Sequence, residues 1–146
     1  MRDFLGLEEQ KKYFSIDEVE EILPIVEKLI IKLRRLDRTL DMVESIDVET
    51  EEEESYSHLR SMTRLNKHFH KMSYDFYRSL EELENMGCIV KDIDNGIVDF
   101  YYRFEDRDVF LCWKLGEKEV SHWHEVFAGF QSRQPILDLT KGLKRK

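Results

Sequence analysis

Apolar residues recur at Val19, Ile22, Val26, Leu29, Leu33, Leu36, Leu40 and Val43, in alternating steps of three and four. That heptad spacing predicts one long amphipathic helix. Leu23, Ile25, Ile30 and Ile31 widen the stripe into a broad face, which suits a globular bundle better than a lone two-stranded coil. Ser15 followed by Glu18 predicts a capping box, and Phe14 with Val19 a hydrophobic staple across it. Carried to about residue 44, such a helix is roughly 45 Å long. Pro24 cannot donate to the carbonyl of Glu20, so a kink or a break is expected near residues 20–24.

A second stripe runs through Met62, Leu65, Phe69, Met72, Phe76, Leu83 and Met86, with Ser79 and Leu80 bridging the gap. It predicts a helix over Tyr56 to Met86, stopped by Gly87, which adopts a left-handed cap without strain. Between the helices lies SIDVETEEEES, residues 45–55, read as a solvated acidic linker. Two long helices with a connection of about ten residues should fold back antiparallel. One hairpin cannot cover two such faces. A compact half should therefore pack on it, and a second copy as well, giving a homodimer through the helices.

After Gly87 the period changes to two. Cys88 to Asp92 reads as a short strand, Asp94-Asn95-Gly96 as a turn, and Ile97 to Phe104 as a strand with Val98, Phe100, Tyr102 and Phe104 on one face. Glu105 to Asp108 turns the chain again. Val109 to Leu115 follows, with Val109, Leu111, Trp113 and Leu115 on one face, before Gly116-Glu117. Val120 to Phe130 reads as a further strand or as irregular chain. The expected class is α+β: a long antiparallel helical hairpin packed with a small antiparallel β-meander. Residues 1–146 are read as one domain, with the hairpin at 14–86, the β-rich half at 87–135 and a tail at 136–146.

Composition and charge narrow the function classes. The 146 residues carry 31 acidic and 23 basic side chains, a net charge of -8. Asp41 to Glu54 holds 8 of the acids and no base, so the rest of the chain is neutral and the acidity is local. No apolar run is long enough to span a membrane, and the opening MRDFLGLEEQKKYF lacks a secretory apolar segment. Cys88 and Cys112 are too few for a disulfide framework or a four-thiolate zinc site. Two free thiols in the cytoplasm are expected. Lys28, Lys32, Arg34, Arg35 and Arg38 make a basic stripe on the first helix. With no phosphate loop and no zinc-finger spacing, it reads as a solvated face rather than a nucleic-acid surface.

The second half also carries recognisable words: Gly87-Cys88-x-Val90-Lys91-Asp92, Gly96-x-Val98-Asp99-Phe100, Val109-x-Leu111-Cys112-Trp113-x-Leu115-Gly116-Glu117, Trp123-His124-Glu125 and Gly129-Phe130-x-x-Arg133-Gln134-Pro135. With Phe14-Ser15, Glu18 and Leu23-Pro24 at the start, they closely resemble the DUF2203 family of small bacterial and archaeal proteins. The resemblance covers nearly the whole chain. It implies kinship and fold, and no reaction. Phe127, Ser132 and His122 depart from the family pattern, so His122 is a poor carrier of a family-wide role.

For chemistry, His122, His124 and Glu125 come first. On a strand, His122 and His124 share a face and Glu125 points away. Two imidazoles so spaced can hold a divalent metal with one or two further ligands. His68 and His70 lie too far apart around a helix to serve one ion. His124 with Glu125 and a distant carboxylate is the more plausible metal set. Position 128 is Ala128, so the zincin pattern is absent. Asp94 reads as a turn former, while Asp92 and Asp99 are expected across a hairpin with Arg133 between them. Neither cysteine has a base beside it in sequence. The leading expectation is a non-catalytic interaction or scaffold protein that needs no cofactor, with Asp99, Trp123, His124, Glu125 and Arg133 as the candidate functional surface. The rival is a metal-dependent enzyme, a hydrolase in which an ion on His124 activates water and Arg133 holds an anionic substrate.

Overall fold

The computed structural model describes residues 11–46, 56–137 and 139. Of the linker expected at 45–55, Ser45 and Ile46 are helical and 47–55 lie outside the described residues; of the tail expected at 136–146, Ile136 and Leu139 join the core while 138 and 140–146 lie outside the described residues. Helix α1 spans Ile16–Ile46. The Glu18 N–H donates to Ser15 Oγ at 3.1 Å and the Ser15 N–H donates to Glu18 Oε1 at 2.8 Å, closing the capping box. Phe14 and Val19 are buried in one cluster on either side of it. No break occurs at Pro24, which lies inside an uninterrupted helix. Buried Leu23 and Val26 flank it and hold the backbone to the core across the lost hydrogen bond. Ile25 and Ile31, expected to widen the apolar face, are about half exposed, so the buried stripe is narrower than its sequence pattern.

Helix α2 spans Tyr56–Asn85. Gly87 (φ 98°) ends it in a Schellman motif. The Gly87 N–H donates to the Glu84 carbonyl and the Cys88 N–H to the Leu83 carbonyl, both at 3.0 Å. The helices are antiparallel: Val43 and Glu44 face the Leu59–Phe69 stretch of α2, and Asp37 faces Leu80 and Glu84.

The meander is longer than three strands. Strands β1 (Ile89–Asp92), β2 (Ile97–Phe104), β3 (Arg107–Lys114), β4 (His122–Glu125) and β5 (Gln134–Pro135) form one antiparallel sheet in sequence order. Phe130–Ser132 is a short 3₁₀ turn before β5. Val98 pairs with Trp113, and Phe100 with Leu111, which pairs with Trp123. Cross-strand partners share a face. This face, with Tyr102 and Val109, meets Val19, Leu23, Val26, Ile30 and Leu33 of α1 and Leu83 of α2 in one contiguous core.

The β1–β2 turn departs from expectation in one detail. Asp92, not Asp94, accepts the turn's bonds: the Asn95 N–H donates to its Oδ1 at 3.0 Å and Asn95 Nδ2 to its Oδ2 at 2.9 Å. Asp92 also faces Ile97 across the hairpin while Asp99 faces Ile89, so the two carboxylates are not opposite one another. Gly96 (φ 67°) closes the turn, and a Cβ there would sit 2.6 Å from Leu115 Cβ. Gly96→Ala should therefore lower stability by about 2 kcal/mol, from left-handed strain plus overlap, read as a lower midpoint in urea unfolding.

Candidate functional site

The sheet has a second buried face, and it is polar. Asp99 on β2 pairs with Cys112 on β3, which pairs with His122 on β4. One step along, Tyr101 pairs with Phe110 and Phe110 with His124. Strand alternation thus brings Asp99, Cys112, His122 and His124 to one side, opposite the Leu111–Trp113–Trp123 core. Asp99, Cys112 and His124 are 1%, 0% and 3% exposed.

Their polar atoms converge. His124 Nε2 lies 3.1 Å from Asp99 Oδ2, and His124 Nδ1 lies 2.8 Å from the Glu125 carbonyl oxygen. One donor atom from each of Asp99, Cys112 and His124 lies within 4.8 Å of the others. Asp99 Oδ1 is buried without a hydrogen-bond partner. Lys91 Nζ stands 4.0 Å from Asp99 Oδ2 and over the Phe110 ring, which packs edge-on against His124.

The protonation states follow from these neighbours. Burial disfavours a charged His124, but the Asp99 hydrogen bond, the Glu125 carbonyl and the Asp99 charge outweigh it and hold its pKa above the ordinary value. Burial, reinforced by the Asp99 carboxylate, pushes the Cys112 thiol well above its usual range. Burial alone raises Cys88 to about 12. Both cysteines are free, buried and protonated at neutral pH, so neither is poised as a nucleophile.

The other expected site residues are elsewhere. Glu125 points to the opposite face of β4 and forms a fork with Arg107, whose Nε and Nη2 donate at 3.0 and 2.7 Å. Those bonds hold the Glu125 carboxyl below its ordinary pKa. It does not join His124 around a common ion. Arg133 is not between aspartates. Its Nη1 donates to Glu117 Oε2 at 3.0 Å, and its guanidinium lies 4.0 Å from the Phe130 ring centre. His122 Nδ1 is 2.9 Å from Ser121 Oγ, outside the Asp99–Cys112–His124 convergence. Trp123 is buried in the hydrophobic core. Trp123, His124, Glu125 and Arg133 therefore do not share one surface: alternation along β4 sends His124 to the face opposite Trp123 and Glu125, Trp123 and His124 are buried, and Arg133 follows the 3₁₀ turn and pairs with Glu117.

Sequence reasoning did not join Cys112 to Asp99 and His124, since these partners are 13 and 12 residues away and meet it only through strand pairing. The signal available was period-two alternation, which set Cys112 opposite the Leu111–Trp113 face. Glu117 was also missed. Beyond holding Arg133, its Oε1 accepts the Lys114 N–H at 2.9 Å and its carbonyl accepts the Trp113 indole N–H at 2.9 Å.

A family model described as "Uncharacterized conserved protein (DUF2203)" matches residues 12–136. No curated protein and no solved structure matches the chain. No described helix is long and apolar enough to cross a membrane.

Proposed function

The chain belongs to the DUF2203 family of uncharacterized conserved proteins, and from that premise we propose that it is a non-catalytic interaction module that pairs with a second copy of itself along α2. The observation that carries this reading is the charge order of that helix. From Tyr56 to Tyr74 it has Arg60, Arg64, Lys67 and Lys71 and no acid, whereas from Asp75 to Asn85 it has Asp75, Glu81, Glu82 and Glu84 against Arg78 alone. Bases at the N-terminal end and acids at the C-terminal end oppose the helix dipole, so the order weakens α2 as a lone helix. Two copies laid antiparallel place each basic half on the other's acidic half, the self-complementarity a two-fold interface requires. A dyad near Ser73 sets Arg64 against Glu82 and brings together the Lys71–Asp75 pairs of the two helices, each 3.7 Å apart within its own chain.

The same helix also carries apolar surface, on its flank and on the side turned toward α1. Tyr56, Leu59, Tyr74 and Tyr77 are all more than half exposed. Leu59, Met62, Leu65 and Phe69 line an open groove of about 520 Å³ with Val43 and Glu44 of α1. The buried free cysteines support a reducing, cytoplasmic setting. The hydrolase reading draws less support, because Arg107 and Arg133 are occupied by Glu125 and Glu117 and His124 is enclosed.

Native mass measured across a concentration series tests the proposal. A dimer is expected. Tyr74→Glu, at an exposed position flanking Lys71 and Asp75, should raise its dissociation constant by at least about tenfold with helix content unchanged, as loss of an anchor does. Arg64→Glu should weaken the dimer, and Arg64→Glu with Glu82→Arg should restore it. A monomer at all concentrations overturns the reading, as does a dimer indifferent to both sets of changes.

A further inference from the structure

We propose that Asp99, Cys112 and His124 form a buried site for one divalent ion of the zinc class, with a carboxylate oxygen, a thiolate sulfur and His124 Nε2 as ligands. Three observations carry it. The three donor atoms already lie within 4.8 Å of one another, on adjacent strands whose register holds them there. Asp99 Oδ1 is an acceptor with no donor in a residue only 1% exposed, a position that normally costs stability unless something occupies it. Finally, His124 Nδ1 faces the Glu125 carbonyl at 2.8 Å. A carbonyl only accepts, so Nδ1 carries a hydrogen, and Nε2, 3.1 Å from Asp99 Oδ2, is the ring atom turned into the cluster, which must exchange its bond to Asp99 for the ion. A ligating histidine is characteristically oriented this way, by a bond from its other ring nitrogen.

The ligand charges suit a divalent ion: one carboxylate and one thiolate together offset its two positive charges, with Lys91 at 4.0 Å from Asp99 Oδ2 and Arg133 acting on Cys112 as the neighbouring cations. Mixed oxygen, nitrogen and sulfur ligation selects zinc-like ions over magnesium or calcium, which take oxygen donors. The ligands are enclosed, and three of the five strands contribute. The ion would brace the sheet rather than act on substrate.

The test is Co(II) binding to the full chain after chelator treatment. One Co(II) per chain is expected, with a thiolate-to-cobalt charge-transfer band in the near ultraviolet and, with the second Asp99 oxygen or a water as fourth donor, visible bands of four-coordinate strength. Zn(II) should displace the ion and Mg(II) should not. Cys112→Ser should abolish the charge-transfer band while Cys88→Ser retains it, with circular dichroism confirming that both variants are folded. Native mass of the wild-type chain with Zn(II) gives a readout independent of any variant. Sub-stoichiometric binding, a band that survives Cys112→Ser, or a band lost with Cys88→Ser would overturn the proposal. Dimerisation through α2 is untouched by any of these outcomes.

Discussion

Trp113→Ala is expected to destabilise the protein by about 3–5 kcal/mol, a large share of the 5–15 kcal/mol typical of a domain. The indole is 1% exposed and belongs to the cluster where the sheet meets α1. Truncating it leaves a cavity lined by side chains that cannot all collapse into it. A second contribution is polar. The Trp113 indole N–H donates to the Glu117 carbonyl, and the same residue's side chain takes bonds from the Lys114 N–H and from Arg133. Losing the ring thus loosens the turn that leads into β4. Trp113→Phe keeps most of the apolar bulk and should cost markedly less. Urea unfolding of the two variants checks this, and a loss under about 1 kcal/mol for the alanine would mean that the ring does not close the core.

The elements that could be read from the sequence are those in which one periodicity runs uncontested. Val19 to Leu36 and the Val98–Phe104 and Val109–Trp113 alternations each name the face that joins the hydrophobic core, although the middle of both strands is buried on its other face as well. The Ser15–Glu18 box and Gly87 mark real helix ends, since each satisfies backbone groups locally. Pro24 does not end the helix, because whether a proline breaks one depends on whether packed neighbours hold it, which is tertiary information. β4 and β5 are four and two residues long, too short for a period to show. The candidate site was half legible. His124 and Asp99 could be named, and the direction of Glu125 away from His124 follows from alternation. Their meeting with Cys112, and the pairing of Glu125 with Arg107 and of Arg133 with Glu117, depend on register across three strands and a turn. Residue type alone does not encode register.

The polar face makes its own strong prediction. In chelator-treated protein, His124→Leu should cost about 3 kcal/mol or more, since it leaves the Asp99 carboxylate buried without its nearest donor. Lys91, at 4.0 Å and partly exposed, offsets only part of that. Asp99→Asn added to His124→Leu removes the stranded charge, so the double variant should be more stable than His124→Leu alone. Ordinary core damage predicts the reverse, with two lesions worse than one. The double-mutant cycle therefore separates an electrostatic pair from two independent packing positions, and strict additivity would dismiss the pair. The same cycle bears on why polar groups occupy this face at all. An apolar replacement of a buried ion pair is often neutral or stabilising, so stability by itself gives Asp99 and His124 little reason to be there. If the double variant matches the wild type in chelator and falls behind it when zinc is added, the cluster's value lies in what it binds. Neither single variant could reveal that, because each confounds the lost ligand with the stranded partner.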